Sequence, residues 1–212
     1  MSYLPHQIKT SDKALAILRD KGICLIAGLP RTGKTRTGIR VAELCPSINS
    51  VLVVTKKAAI DGWDSELSAV KPTKKYTVTN FEQVKNLKGV FDFVIVDESH
   101  NIGRAGKPTN RLKELRVETI GKLVLLLTGT PAAETHLSYY YQFCLSLNTP
   151  FKYKSFYAFF NEWGIPAPIR INGRLVETYK HAKPEIVDFI SPYIVTLDQT
   201  QAGIKHQAQD KL

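Results

Sequence analysis

The sequence has few cysteines and no long apolar segment. Its three cysteines, Cys24, Cys45 and Cys144, are scattered and odd in number, so they match neither a metal-ligand spacing nor a disulfide framework. This usage favours a reducing compartment, and we expect a cytoplasmic protein. No apolar run approaches the roughly 18–20 residues of a membrane-spanning helix, and residues 1–6 lack the layout of a signal peptide. We therefore expect no membrane partner.

Internal repeats and low-complexity segments are also missing. The 212 residues are 43% hydrophobic, which suffices for one domain with a real core and a small appendage. The formal net charge is +10. Such a balance favours a polyanionic partner, although a protein can be basic without having one.

Short apolar runs alternate with helical patterns in the first half of the chain. Because these runs are rich in Leu and β-branched residues and do not alternate with polar ones, they indicate parallel strands that are covered on both faces. The predicted strands are 23–27, 51–55, 76–78, 93–96 and 123–127. The predicted helices are 11–20, capped by Ser11 and ended by Gly22, then 34–44 and 58–70. This order predicts a doubly wound, mostly parallel α/β domain.

The second half has a different pattern. A tyrosine-rich helical pattern covers 134–147, and an aromatic one covers 155–163. Two prolines and a glycine in 165–173 predict a loop or a hairpin, and a last helix is predicted over 183–190. The aromatic groups in 139–141 and 156–163 could stack nucleic-acid bases, or they could be core residues at helical spacing.

Residues 28–35, Gly-Leu-Pro-Arg-Thr-Gly-Lys-Thr, fit the phosphate-binding pattern G-x-x-x-x-G-K-[ST] between a predicted strand and a helix. Backbone N–H groups and the helix N-terminus would hold phosphate oxygens. Lys34 would reach the β- and γ-phosphates of ATP, and the Thr35 hydroxyl would bind Mg²⁺. The alternative is a chance match in a glycine-containing turn. The candidate nucleotide-binding residues in this loop are Gly28, Arg31, Thr32, Gly33, Lys34 and Thr35.

Two acidic residues, Asp97 and Glu98, follow the apolar run 93–96 directly. Ligands of open α/β sheets bind at the carboxyl ends of the strands. We therefore expect Asp97 to hold Mg²⁺, largely through water, and Glu98 to polarise an attacking water as general base. A solvated turn or a helix N-cap is the alternative.

Several short motifs resemble those of the superfamily-two helicases and translocases. Asp-Glu-Ser-His at 97–100 resembles motif II, and Leu-Thr-Gly-Thr-Pro at 127–131 resembles motif III. Leu-Pro-His-Gln at 4–7 resembles the Q motif. Val-Val-Thr-Lys at 53–56 with Trp63, and Thr-Asn-Phe-Glu-Gln at 79–83, resemble motifs Ia and Ib of the Swi/Snf-like group. The motifs keep the family's order.

The resemblance implies a RecA-like ATP-binding core over residues 1–135, acting as a DNA-dependent ATPase. Gln7 would then recognise adenine. His100, Thr128 and Thr130 would couple the nucleotide to the nucleic-acid site. The implied contacts to the DNA backbone, which would not be sequence-specific, are Lys56, Thr79 and Asn80.

Weaker similarities extend to about residue 203 and suggest a phage or mobile-element member of the group, which would place it in a bacterial host cytoplasm. Residues 136–203 would be a helical extension of the same lobe, and residues 204–212 would begin a linker. The phosphate loop supports this type, because it reads Pro-Arg-Thr-Gly-Lys-Thr where Swi/Snf motors carry Gly-Leu-Gly-Lys-Thr.

The segment from Asn101 to Lys122 holds six Lys or Arg residues against two Glu, a net charge of +4. In the resembled family the loop after motif II grips the phosphate backbone, so Arg104 and Lys107 are candidate DNA contacts. Such contacts would be salt-sensitive and blind to sequence. The alternative is a solvated helix face with internal charge pairs.

Two functions from different classes fit these patterns. The first is the N-terminal lobe of an ATP-driven DNA translocase or helicase, which would need a second RecA-like lobe, in cis or in trans, to supply arginine fingers. The second is a lone P-loop module that binds nucleotide or DNA and regulates a partner without turnover. A metabolic P-loop kinase is disfavoured, because the motif III resemblance would be left unexplained.

Overall fold

A computed structural model describes residues 3–103, 105–106, 108–132 and 134–197. Its strands are β1 (Ile23–Gly28), β2 (Ser50–Thr55), β3 (Lys75–Asn80), β4 (Phe93–Asp97), β5 (Leu123–Thr128), β6 (Gly164–Ile165), β7 (Ile169–Ile171), β8 (Arg174–Val176), β9 (His181–Ala182) and β10 (Ile194–Leu197). Its α-helices are α1 (Pro5–Lys21), α2 (Lys34–Glu43), α3 (Ile60–Val70), α4 (Asn110–Thr119), α5 (Tyr139–Phe143), α6 (Phe156–Trp163) and α7 (Glu185–Ile190). The predicted linker, 204–212, lies outside the described residues.

Six strands form one parallel sheet in the order β10-β1-β5-β4-β2-β3. Successive residues of each strand point to opposite faces, and both faces are covered. Ile23 and Leu25 pack with α4 to α7, whereas Cys24 and Ile26 pack with α1 to α3. Burial on both faces explains why these strands read as continuous apolar runs. The predicted doubly wound α/β domain is confirmed.

Helix α1 begins earlier than the sequence pattern suggested. Pro5 occupies the first helical position, where a missing N–H costs nothing. The Gln7 Oε1 atom accepts a hydrogen bond from the Leu4 backbone N–H at 2.9 Å. The prediction that Ser11 caps the helix was wrong, because Ser11 lies inside it and its hydroxyl donates to the Gln7 carbonyl at 2.7 Å. The predicted stop at Gly22 is confirmed, with φ of 73°.

The long helix predicted over 134–147 is broken. A 3₁₀ turn, His136–Ser138, leads into the short helix α5. Beyond α5, the Ser146 N–H bonds to the Phe143 carbonyl and the Ser146 hydroxyl accepts from the Asn148 N–H at 3.1 Å. Local side-chain bonds of this kind compete with helix propagation, so the chain turns here.

The aromatic residues of α5 and α6 form a core rather than a stacking surface. Tyr140 is 6% exposed and Phe159 is 0% exposed, and their ring centroids lie 4.8 Å apart. Phe151 meets Phe159 edge-on at 4.8 Å. Edge-to-face and tilted pairs of this kind add to the energy of burial. Tyr157, 57% exposed, is a member of the group that remains open to solvent.

The sequence analysis missed β10, which pairs with β1 and extends the central sheet. Residues 136–197 therefore leave the sheet, build the aromatic core and return to the sheet. Where a loop or a hairpin was predicted over 165–173, β7 and β8 form a hairpin over 169–176, and α7 lies where the last helix was predicted. None of the helices in the described part of the chain is both long and apolar enough to cross a membrane.

Alanine substitutions at two glycines should change the stability of the fold in opposite directions. Gly62 lies in α3. Apart from the adjacent residues and the backbone of the helix itself, no atom lies within 4 Å of the position that a Cβ would take, so Gly62→Ala should stabilise the fold by about 0.5–1 kcal/mol. A Cβ on Gly164 would lie 2.6 Å from the Phe160 carbonyl oxygen, so Gly164→Ala should destabilise it by about 1–3 kcal/mol. Urea unfolding would measure both changes, and equal shifts in the two variants would contradict this packing.

Candidate functional site

The register of three parallel strands brings the predicted site residues to one edge of the sheet. Ala27 of β1 pairs with Thr128 of β5, and Leu127 of β5 pairs with Asp97 of β4. The three strands therefore end at the same level, at their carboxyl ends. This is the edge where ligands of open α/β sheets bind.

A cavity of about 430 Å³ opens between these strand ends and the N-terminus of α2. Its lining includes most of the residues predicted for nucleotide and magnesium. The lining residues are Gln7, Pro30, Arg31, Gly33, Lys34, Thr35, Arg36, Glu66, Asp97 and Glu98. Gly28 and Thr32 do not line it. The Thr32 side chain is buried and its hydroxyl donates to the Leu29 carbonyl at 2.7 Å, which closes the turn of the loop.

The loop backbone takes left-handed conformations at Arg31 and Gly33, with φ of 65° and 82°. A Cβ at Gly33 would also overlap the Gln7 amide nitrogen, so a side chain there would displace the Gln7 amide from its present position. Gln7 is 4% exposed and lines the cavity. Its Nε2 has no hydrogen-bond partner within the described ranges, so this donor is available to a ligand.

Lys34 is a partly buried cation held by backbone carbonyls. Its ammonium donates to the Gly28 oxygen at 2.6 Å and to the Leu29 oxygen at 3.0 Å. Burial lowers the pKa of Lys34, and the nearby carboxylates of Glu98 and Asp97 oppose this by raising it. No carboxylate forms an ion pair with Lys34 in the described part of the chain. An anion in the cavity would supply the missing negative charge.

Asp97 is 9% exposed and three donors hold its carboxylate. Thr55 Oγ1 and Trp63 Nε1 each donate to Oδ2 at 2.9 Å. The Glu98 N–H donates to Oδ1 at 3.0 Å. A carboxylate has about four lone-pair sites, so Oδ1 keeps one for a further ligand. Glu98 itself has φ of 51°, a left-handed conformation that turns the chain away from the strand.

The predicted coupling residues meet at the end of β5. His100 Nδ1 lies 2.9 Å from Thr128 Oγ1, 3.4 Å from Thr130 Oγ1 and 3.3 Å from Glu98 Oε2. Burial lowers the pKa of His100, although Glu98 raises it. Asn101 Nδ2 donates to the Glu98 carbonyl at 2.8 Å and lies 3.0 Å from His100 Nε2. Because Nε2 accepts this hydrogen bond, the ring proton is on Nδ1 and points toward Thr128 and Glu98.

A buried glutamine forms a second link between the two segments. The Ser99 hydroxyl donates to Gln142 Oε1 at 2.7 Å, and Gln142 Nε2 donates to the Pro131 carbonyl at 2.9 Å. Gln142 is 1% exposed. The Gln142 side chain therefore connects the segment that holds Ser99 to Pro131.

Two of the predicted DNA contacts, Lys56 and Asn80, line another cavity of about 490 Å³ at the same sheet edge. Thr79 is nearly buried in β3, and Asn80 Oδ1 accepts from the N–H groups of Glu82 and Gln83 at 3.1 Å. Asn80 therefore shapes the turn, while exposed Lys56 keeps its charge available. Arg104 and Lys107 lie outside the described residues.

The predicted residues fit a magnesium nucleotide. The Thr35 hydroxyl lines the cavity and has no hydrogen-bond partner among the residues that the structure describes. Thr35 would supply a neutral oxygen ligand to Mg²⁺, and the Asp97 carboxylate would supply a charged one. Within the described ranges no group of three His, Cys, Asp or Glu residues could hold a metal ion by itself. Mg²⁺ commonly binds one or two protein oxygens and takes its other ligands from phosphate and water.

Three residues of the site were missed or undervalued by the sequence analysis. Trp63 was noted as part of a motif, but its bond to Asp97 was not foreseen. Gln142 follows three tyrosines and carries no separate signal. Arg111 was counted only as charge, yet its guanidinium donates to Glu82 at 2.6 Å and lies 5.6 Å from the Phe81 ring centroid, on the cavity of Lys56.

The likeness of this chain to known proteins lies in structure rather than in sequence. No protein-family profile matches the chain, and no curated protein matches it. A solved structure, the Sulfolobus solfataricus SWI2/SNF2 ATPase core in complex with dsDNA, matches with a TM-score of 0.71 at 18% identity. The match covers 94% of this chain and 45% of that chain, so this chain spans less than half the length of that structure.

A second structure, the ATP-dependent Type ISP restriction-modification enzyme LlaBIII bound to DNA, matches with a TM-score of 0.47 at 14% identity. That match covers 61% of this chain and 13% of that chain. The first likeness shows that the chain has a RecA-like α/β fold. The fold that the motifs implied is thereby confirmed.

The bond between Trp63 and Asp97 can be measured. Trp63→Phe removes one donor from a buried carboxylate, and we expect a loss of about 1–3 kcal/mol in the free energy of unfolding. In an Asp97→Asn background the same substitution should cost less, because the charge that needs the donor is gone. Chemical denaturation of the four proteins in this double-mutant cycle gives the coupling. Equal costs in both backgrounds would mean that Trp63 acts only through packing.

Proposed function

We propose that this chain is the N-terminal, Mg-ATP-binding lobe of an ATP-dependent DNA translocase or helicase of the Swi/Snf-like type. One observation carries the proposal: Lys34, Thr35, Asp97 and Glu98 line one cavity at the carboxyl edge of a parallel sheet. The P-loop pattern and the acid pair are far apart in sequence, and either alone has a plain structural explanation. Because both motifs line one cavity, phosphoryl chemistry explains them better than a chance match in a glycine-containing turn and a solvated acidic turn or helix N-cap.

Each of these residues has a distinct task in the proposal. Lys34 and the N-terminal N–H groups of α2 bind the phosphates of ATP. Thr35 and Asp97 hold Mg²⁺, which neutralises charge on the phosphate oxygens. Glu98 orients the attacking water and accepts its proton. Gln7, at the edge of the same cavity, donates its free amide hydrogens to the adenine edge.

The DNA side of the proposal rests on charge and position. Lys56 and Asn80 line an open cavity at the same sheet edge as the nucleotide site, and the chain carries a net +10. We propose that Lys56, Thr79, Asn80, Arg104 and Lys107 lie along the phosphate backbone of duplex DNA. His100, Thr128 and Thr130 form a hydrogen-bonded cluster beside Glu98 of the nucleotide cavity, which suits a coupling role.

A second RecA-like lobe, in cis or in trans, completes the motor in this proposal. The resembled structure is more than twice as long as the matched region, and arginine fingers in such enzymes come from outside the first lobe. We keep residues 1–135 as the ATP-binding core, 136–203 as its helical extension and 204–212 as the start of a linker. A phage or mobile-element origin and a place in the bacterial cytoplasm remain part of the proposal.

Nucleotide binding is the first test. Lys34→Ala should abolish measurable binding of Mg-ATP in isothermal titration calorimetry, because it removes the cation that faces the phosphates. The matched control is Lys13→Ala, which removes an exposed lysine from α1 and should bind as the wild type does. Unchanged ATP affinity in Lys34→Ala, with a native circular dichroism spectrum, would overturn the site.

Turnover is the second test. An arginine finger contributes roughly 10³–10⁵ in rate, which is on the order of 4–7 kcal/mol of barrier. We therefore expect the 212-residue chain to hydrolyse ATP at least about 10³-fold more slowly than complete motors, even with duplex DNA present. Glu98→Gln should lower the residual rate and leave Mg-ATP binding intact. Phosphate release at several per second from the isolated chain would contradict the need for a second lobe.

A further inference from the structure

A two-stranded ribbon built from residues 164–182 projects from the aromatic core. β7 and β8 form its tip, in the register Ile169 to Val176, Arg170 to Leu175 and Ile171 to Arg174. Asn172 and Gly173 have φ of 48° and 77°, as a two-residue hairpin turn of this hand requires. β6 and β9 pair at the root of the ribbon. The proposed ATP and DNA sites use none of these residues.

The tip exposes an unusual amount of apolar surface. All six residues of β7 and β8 are exposed. The accessible fractions of its apolar residues are 47% for Ile169, 47% for Ile171, 69% for Leu175 and 43% for Val176. A two-stranded hairpin has no core of its own and is marginal in water without one. Side chains placed in this way are suited to contact with something outside the chain.

The charge of the ribbon indicates what that contact is. Arg170, Arg174, Lys180 and Lys183 are exposed, and no ion pair to any of them occurs in the part of the chain that the structure describes. Glu177 is the one acid in 164–183. Its carboxylate accepts from the Ala167 N–H at 2.8 Å and the Thr178 N–H at 3.0 Å. The ribbon therefore offers uncompensated positive charge to a polyanion.

The root of the ribbon lies against the loop that follows motif II. Tyr179 packs edge-on against Phe156 at 5.3 Å and Phe160 at 4.8 Å. A Cβ built on Gly106 would lie 2.9 Å from Cδ2 of the same ring. Gly106 stands between Arg104 and Lys107 in sequence, the residues proposed to contact DNA. The root of the ribbon therefore lies against Gly106, a described residue of this loop.

We propose that the ribbon tip, residues 169–176, is a separate contact that enters a groove of the bound duplex. The major groove is about 12 Å wide and admits a two-stranded ribbon. Leu175, which shares one face of the ribbon with Arg170, contacts base edges, while Arg170 and Arg174 bind backbone phosphates on the two sides of the groove. This inference rests on the proposed DNA binding and adds to it a site with apolar as well as ionic contacts.

The test is fluorescence anisotropy of a labelled duplex of about 20 base pairs, titrated with the full chain at several salt concentrations. Arg170→Ala with Arg174→Ala removes two phosphate contacts, so the slope of log K against log salt should fall by about 1–2. The matched control, Lys9→Ala with Lys13→Ala, removes the same charge from α1 on the opposite face of the sheet. It should leave the slope unchanged.

A second variant separates apolar contact from charge. Leu175→Ser should weaken the affinity several-fold at every salt concentration and keep the wild-type slope. If the arginine pair and the control pair change the slope equally, the effect is general charge and the inference is overturned.

Other outcomes distinguish failure of the ribbon contact from failure of the proposed DNA binding. If wild type binds duplex DNA and the ribbon variants bind equally well, the ribbon contact is wrong while the proposed function stands. If wild type shows no DNA binding at all, both fail. Loss of self-association in sedimentation, with DNA affinity unchanged, would identify a second copy of the chain as the occupant and overturn the inference.

Discussion

The parallel pairing of β1, β5 and β4 is the constraint on which the rest of this structure depends. It places Gly28, Thr128 and Asp97 at the ends of three adjacent strands, so that segments about 70 and 100 residues apart in sequence meet at one sheet edge. The proposed nucleotide cavity and the His100 network both follow from that alignment. A shift in strand register would separate the phosphate loop from the acid pair and turn side chains to the wrong face.

Burial of charge at this edge must be balanced by hydrogen bonds. A carboxylate as enclosed as Asp97 is costly unless donors surround it, and Thr55 and Trp63 supply two of them, from the end of β2 and from α3. Lys34 is balanced less completely, since carbonyl oxygens hold it and burial lowers its pKa. This difference between Asp97 and Lys34 suits the proposed function. The acid is held in one orientation, whereas the cation retains affinity for an incoming phosphate.

The two faces of the sheet have different tasks. Helices α1 to α3 cover one face; Gln7 and Lys34 line the proposed nucleotide cavity, and Trp63 donates to Asp97. On the other face, α4 to α7 enclose the aromatic core, which supports the Gln142 link and the root of the exposed ribbon. Because β10 returns to pair with β1, this second layer is anchored to the sheet at both ends. The layer beyond the ATP-binding motifs is thus part of the same sheet-centred fold.

The sequence by itself determined the α/β class, five of the six strands of the central sheet, a loop or hairpin over 165–173 and most of the residues that line the proposed nucleotide cavity. These follow from local patterns: uninterrupted apolar runs, a glycine-rich turn and acids at a strand end. Only the tertiary structure decided which segments of the chain contact one another. β10 has too few residues to be recognised without β1 beside it. Ser11 resembles a helix cap in the sequence, but Pro5 and Gln7 start the helix earlier. The hydrogen bonds of Trp63 and Gln142 join segments that are distant in sequence. Such contacts depend on how distant surfaces pack, and no local pattern records that.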